Sequence, residues 1–213
     1  MAKIAVDIVL LPSQEIAERA VEANKLLRQK YLDRIFLDVA LRPGSEATLP
    51  HISLAMGCID TSCINVLQER LGEIADKYPP GFLYLTEISN TTNTNGEYLS
   101  YFIIKKTPAL LKLHQEVIRQ FDKYFSYNVT ANMLLSEKSI PDSTLDWIRN
   151  YRQKSSFENF SPHITLGYGR IAKSSTFYQE FPSLPHKFTA SQLAICHLSS
   201  HCTCKKIMVN LII

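Results

Sequence analysis

Two pentapeptides constrain this chain more than any other feature: Pro50-His51-Ile52-Ser53-Leu54 and Pro162-His163-Ile164-Thr165-Leu166, whose histidines lie 112 positions apart. They agree at four of five positions, and the fifth exchanges one hydroxyl residue for another. Each reads as a strand. In a strand, residues i and i+2 project to one face, so His51 goes with Ser53 and His163 with Thr165. Ile52 with Leu54, and Ile164 with Leu166, then face a core. A fold containing both strands can present two imidazoles and two hydroxyls to one cleft.

That set of groups suits phosphodiester chemistry. An imidazole titrating near pH 6.5 serves as base in one copy and acid in the other. A short hydroxyl beside each donates to phosphate oxygens as charge builds on them. No metal is needed, and no cofactor is implied. The tripeptide His-x-[Ser/Thr] alone carries little information, since His197-Leu198-Ser199 and His201-Cys202-Thr203 match it too. The near-symmetry of the longer repeat leaves acid and base hard to tell apart; His163 is taken as the base and His51 as the acid.

The remaining chain alternates strands and helices. Ile4 to Leu11 is rich in β-branched residues; Asp7 interrupts it and Pro12 ends it, so it reads as a strand and not a signal peptide. Ser13 opens a helix to about Tyr31, with Ile16, Ala20, Ala23 and Leu27 as its apolar stripe. Ile35 to Leu41 reads as a short strand and Arg42 to Pro50 as a loop. After the His51 to Ile59 strand, Asp60-Thr61-Ser62 caps a helix ended by Tyr78-Pro79-Pro80-Gly81. Phe82 to Ser89 and Glu97 to Lys106 form a hairpin pattern, and Thr107-Pro108 starts a third helix. Periodicity weakens from Ser126 to Ser161, where Leu145 to Tyr151 reads as a short helix. His163 to Tyr168, a short helix at Ser174 to Phe181, and the strand pair Phe188 to Leu198 with Lys206 to Ile212 complete the chain. Short polar turns between neighbouring strands predict an α+β fold with mostly antiparallel sheets.

At the paired pentapeptides the sequence resembles the 2H phosphoesterase superfamily, which includes the bacterial RNA 2′,3′-cyclic phosphodiesterases, also called 2′-5′ RNA ligases. The resemblance implies one bilobal unit over residues 1–213, in which two mostly antiparallel sheets flank a central groove and helices lie outside. It also implies His51, Ser53, His163 and Thr165 as catalytic groups, and an RNA end or a cyclic nucleotide as substrate. Hydrolysis of a ribose 2′,3′-cyclic phosphate is the favoured activity. The alternatives are a phosphodiesterase or ligase acting on a 2′-5′ linkage or another cyclic nucleotide, and a non-catalytic RNA-binding module.

Substrate contacts are expected from Arg42, on the loop before the first motif, and from the Trp147 to Lys154 segment. Its Tyr151, Arg152 and Lys154 combine a stacking ring with cations, as single-strand binding requires. The bland alternative there is an amphipathic helix with Trp147 and Tyr151 turned inward. Three thiols and two imidazoles between Cys196 and Cys204 could ligate zinc, but their spacing favours a plain hairpin with free thiols. Five cysteines, an odd number, suggest a reducing compartment, and cytoplasm is expected. A net charge of +3 does not argue for nucleic acid by itself. No apolar run suffices to span a bilayer, and a monomer is expected.

Overall fold

The computed structural model describes residues 2–31, 35–41, 46–92, 98–135, 139–169 and 186–213. Among these residues, eight strands make two four-stranded sheets in which every pairing is antiparallel. The first sheet has the order β2-β1-β7-β8, built from β1 (Lys3–Pro12), β2 (Ile52–Asp60), β7 (Ala190–Leu198) and β8 (Cys204–Ile212). The second has the order β5-β4-β3-β6, from β3 (Leu83–Thr92), β4 (Tyr98–Ile104), β5 (His163–Gly169) and β6 (His186–Phe188). This is the α+β, two-sheet architecture expected. The motif strands β2 and β5 are both edge strands, and they approach one another where the sheets meet.

Among the described residues four α-helices cover the sheets: α1 (Gln14–Tyr31), α2 (Ile64–Lys77), α3 (Pro108–Phe121) and α4 (Asp142–Lys154). Local chemistry sets where they begin. Thr107 Oγ1 accepts from Leu110 N at 3.2 Å ahead of Pro108, whose missing N–H leaves no donor unpaired in the first turn. Asp60 accepts from Ser62 N at 2.9 Å and starts the turn that leads into α2. The helices are exchanged between the sheets. Although α1 follows a strand of the first sheet, it packs on β5 of the second; α3 follows β4 of the second and packs on β2 of the first. One apolar core results, joining Ile8, Leu10, Ile52 and Leu54 to Leu85, Phe102, Ile164 and Leu166.

Several expectations need correction. Ile35 to Leu41 forms no strand; it makes one parallel bridge, Leu37 to Thr48, because Asn24 Oδ1 accepts from Leu37 N and occupies part of its pairing capacity. The thiols are not all free. Cys196 and Cys204 are joined in a disulfide, since the irregular β7–β8 register sets their Cα atoms 5.5 Å apart with both side chains in the interior. The helix read at Leu145 to Tyr151 is longer at both ends, and it packs on β2 over Met56 and Cys58. Ser174 to Phe181 lies outside the described residues.

Candidate active site

Both motif strands carry the same irregularity. Leu54 is skipped in the pairing of β2 with β1, and Leu166 is skipped in the pairing of β5 with β4. A bulged residue has no ladder partner, so its carbonyl needs another donor. Each receives one from a buried polar side chain on the exchanged helix. His114 Nδ1 on α3 lies 2.7 Å from Leu54 O, and Asn24 Nδ2 on α1 donates to Leu166 O, also at 2.7 Å. His114 is further fixed by accepting from Phe157 N at Nε2 and by stacking on Phe160 at 3.9 Å, just ahead of the second motif. The repeat therefore extends to its supports.

The catalytic candidates are held alike. His51 Nδ1 is 2.8 Å from Leu49 O, and His163 Nδ1 is 2.8 Å from Ser161 O, in each case the carbonyl two residues upstream. Nδ1 must be the protonated nitrogen to donate there. That leaves Nε2 with its lone pair for chemistry. Burial lowers both imidazoles below their ordinary value, and the neighbouring His163 pushes His51 down further, to about 4. The two histidines thus share one electrostatic field.

The hydroxyls differ. Ser53 Oγ is hydrogen-bonded to Asp7 Oδ2 at 2.5 Å, and the same carboxyl oxygen lies 3.8 Å from His51 Nε2. Thr165 instead faces Tyr101 across the β4–β5 ladder, and the Tyr101 ring lies 5.2 Å from that of His163. Asp7 is wholly buried in the middle of β1.

Of the residues expected to touch substrate, Arg42 lies outside the described residues. Tyr151 is 3% exposed and belongs to an apolar cluster with Met56, Leu145 and Ile148, so its ring packs the interior and offers no face to a base. Trp147, 45% exposed, is the aromatic that α4 turns outward; the two rings do not share the buried side. Arg152 pairs with Asp122 at 3.2 Å and lies over the Phe157 ring, while Lys154 is exposed at the helix end. In the Cys196 to Cys204 stretch, two thiols are bonded to each other and His197 Nε2 is 3.0 Å from Met133 O. Among the described residues no group of three His, Cys, Asp or Glu is placed to hold a metal.

Asp7, Asn24 and His114 escaped the sequence reading. The signal for Asp7 was a charge inside an apolar strand; for Asn24, a polar residue four positions after Ala20 on a buried stripe.

The sequence profile of the 2′-5′ RNA ligase superfamily matches residues 27–201, a span containing both motifs. The chain belongs to the 2′-5′ RNA ligase superfamily, a group of 2H phosphoesterases. Among solved structures, the apo form of E. coli LigT is 14% identical with a TM-score of 0.49, covering 100% of this chain and 98% of that one. Kluyveromyces marxianus Usb1 is 12% identical with a TM-score of 0.37, covering 99% and 97%. No curated protein matches. Among the described residues of this superfamily member, no helix is long and apolar enough to cross a membrane.

Proposed function

We propose that this chain hydrolyses a ribose 2′,3′-cyclic phosphate, at an RNA end or in a free nucleotide, by acid/base catalysis between two histidines and without a metal. The observation that carries this reading is the matched tethering of His51 and His163 through Nδ1, which leaves two Nε2 atoms for proton transfer. One Nε2 takes a proton from water. The resulting hydroxide oxygen bonds to phosphorus, the bond from phosphorus to one ribose oxygen breaks, and the other Nε2 delivers a proton to that oxygen. Ser53 and Thr165 donate to the non-bridging oxygens.

Burial favours reversing the roles read from the sequence. His51, with a side chain 12% exposed, is the harder to charge, since burial and the neighbouring His163 both oppose its proton. It suits the base. His163 suits the acid, because a bound phosphate anion favours its protonated form. Arg42 and Lys154 are the cations we infer for the remainder of an RNA chain. The superfamily match also supports a second reading, in which the same groups make or cleave a 2′-5′ linkage.

The test is hydrolysis of cyclic-phosphate-ended oligonucleotides and free 2′,3′-cyclic nucleotides after exhaustive chelation. Turnover at the unchelated rate is expected. Binding of RNA ends with no hydrolysis above blank, unchanged by loss of either histidine, would make the protein a binding module.

A further inference from the structure

We propose that Asp7 is a positioning residue that works as a neutral carboxylic acid, donating its O–H to Ser53 Oγ and so turning the serine hydroxyl toward the phosphate. The inference rests on the two-histidine reading of the groove.

A serine hydroxyl has one proton. If Asp7 were ionised, Ser53 would give that proton to Oδ2 and show the groove only lone pairs. Phosphate oxygens also only accept, so Ser53 would contribute nothing. If the carboxyl keeps its proton and donates, the Ser53 hydrogen is released to point outward. The O···O separation of 2.5 Å accommodates either direction.

The surroundings select the second. The groups facing Asp7 are Ser53 and His51 at the first motif, Tyr151 on α4, with Tyr127 beside it, and Cys202 in the turn between β7 and β8. Among the described residues His51 is the one basic group within ion-pair reach. Its Nε2 stands 3.8 Å away, well beyond the roughly 2.7–2.9 Å of a charge-assisted hydrogen bond. Asp7 Oδ1 is buried with no hydrogen-bond partner, which is costly for an anion and much less so for a neutral acid. A carboxylate here would also repel the anionic substrate. In keeping with this, burial pushes the Asp7 carboxyl well above the ordinary aspartate range, and the hydrogen bond from Ser53 opposes that only in part. The proton of the Asp7–His51 pair sits on the carboxyl, which keeps His51 neutral as a base.

The test compares Asp7→Asn with Asp7→Ala on a free 2′,3′-cyclic nucleotide. An amide N–H donates to Ser53 as the acid does, so Asp7→Asn is expected to hold kcat within about threefold. Asp7→Ala should lose about tenfold in kcat with a smaller change in KM, and adding Asp7→Ala to Ser53→Ala should cost nothing more. Beyond the alkaline limb set by the general acid, the wild type should show a further loss of rate where Asp7 ionises, and Asp7→Asn should lack that further loss alone. If Asp7→Asn is as slow as Asp7→Ala, the site uses an anion and the proposal falls. Carbon-13 NMR of the Asp7 carboxyl in the unliganded wild type gives a readout independent of turnover and of whether any variant folds. A protonated signal at pH 7 is expected; an ionised one overturns the proposal. A protonated Asp7 in a protein that hydrolyses none of the cyclic phosphates would support the Asp7–Ser53 polarity and count against the phosphodiesterase reading alone.

Discussion

The two motif strands are near copies in sequence, yet they sit in unlike electrostatic settings. Both are bulged edge strands, both histidines are tethered through Nδ1 to a carbonyl two residues back, and both bulge carbonyls are taken up by a helix from the other sheet. The first motif, however, has a buried carboxyl against its hydroxyl, whereas the second has an aromatic ring against its histidine. What the repeat shares is geometry; what separates the copies comes from residues outside it. One scaffold used twice can therefore supply both a base and an acid, because burial and the charge of the other histidine decide which imidazole resists protonation more strongly.

Removing the imidazoles tests that split most directly. Either His51→Ala or His163→Ala should lower kcat by on the order of 10²-fold or more. The variants should differ in pH profile: loss of His51 should remove the acid limb of the bell, and loss of His163 the alkaline limb. Profiles that lose the same limb would show that the copies are not differentiated.

The shared supports come next. Asn24→Ala removes three hydrogen bonds to the backbone, at Ile35, Leu37 and Leu166, and His114→Ala removes two, at Leu54 and Phe157. With about 1 kcal/mol for each hydrogen bond and more where a buried group is left unpaired, both should lower unfolding stability by several kcal/mol in denaturant titration, Asn24→Ala by more. Tyr151→Ala should cost about 3–5 kcal/mol by emptying the space beneath α4, with KM for a cyclic nucleotide unchanged. A rise in KM at unchanged stability would return Tyr151 to the substrate.

Acid should act on the first motif and its support together. His51 and His114 are both held near 4 against an ordinary 6.5, so the unfolded chain binds protons that the folded chain refuses. Stability is therefore full above about pH 6.5 and falls as pH drops from there toward 4. Replacing His114 by Leu should flatten that slope in thermal melts at stepped pH. The smallest effect is expected from Lys154→Gln, within about 0.5 kcal/mol in stability and about twofold in oligonucleotide KM, since an exposed contact at the end of a helix is worth little.

Period and punctuation made most elements legible, because β-branched runs, capping residues and Pro-Gly breaks act locally. The candidate histidines and hydroxyls could be nominated for the same reason: alternation along a strand is a local property. Asp7 could be seen only as an interruption, since the Ser53 that gives it meaning is 46 residues away. Leu37 is not legible locally, because the acceptor of its N–H is a side chain from another element, Asn24. Tyr151 and Trp147 lie on one apolar stripe by spacing, and only the position of α4 over β2 decides which of them is covered.

The exchange of helices also bears on how the chain comes to be folded at all. β1 lies between β2, which follows soon after, and β7, which is among the last segments made. α1 waits for β5, made more than a hundred residues later, before its buried Asn24 can reach Leu166. During synthesis the first half thus holds an open sheet edge and an uncovered helix face until almost the whole chain has emerged. Closing such distant pairs delays the reward for ordering the chain and leaves unpaired strand exposed meanwhile. The contact between β2 and β5 is the seam where early and late segments meet, so the two motifs come together only among the last steps by which the molecule forms.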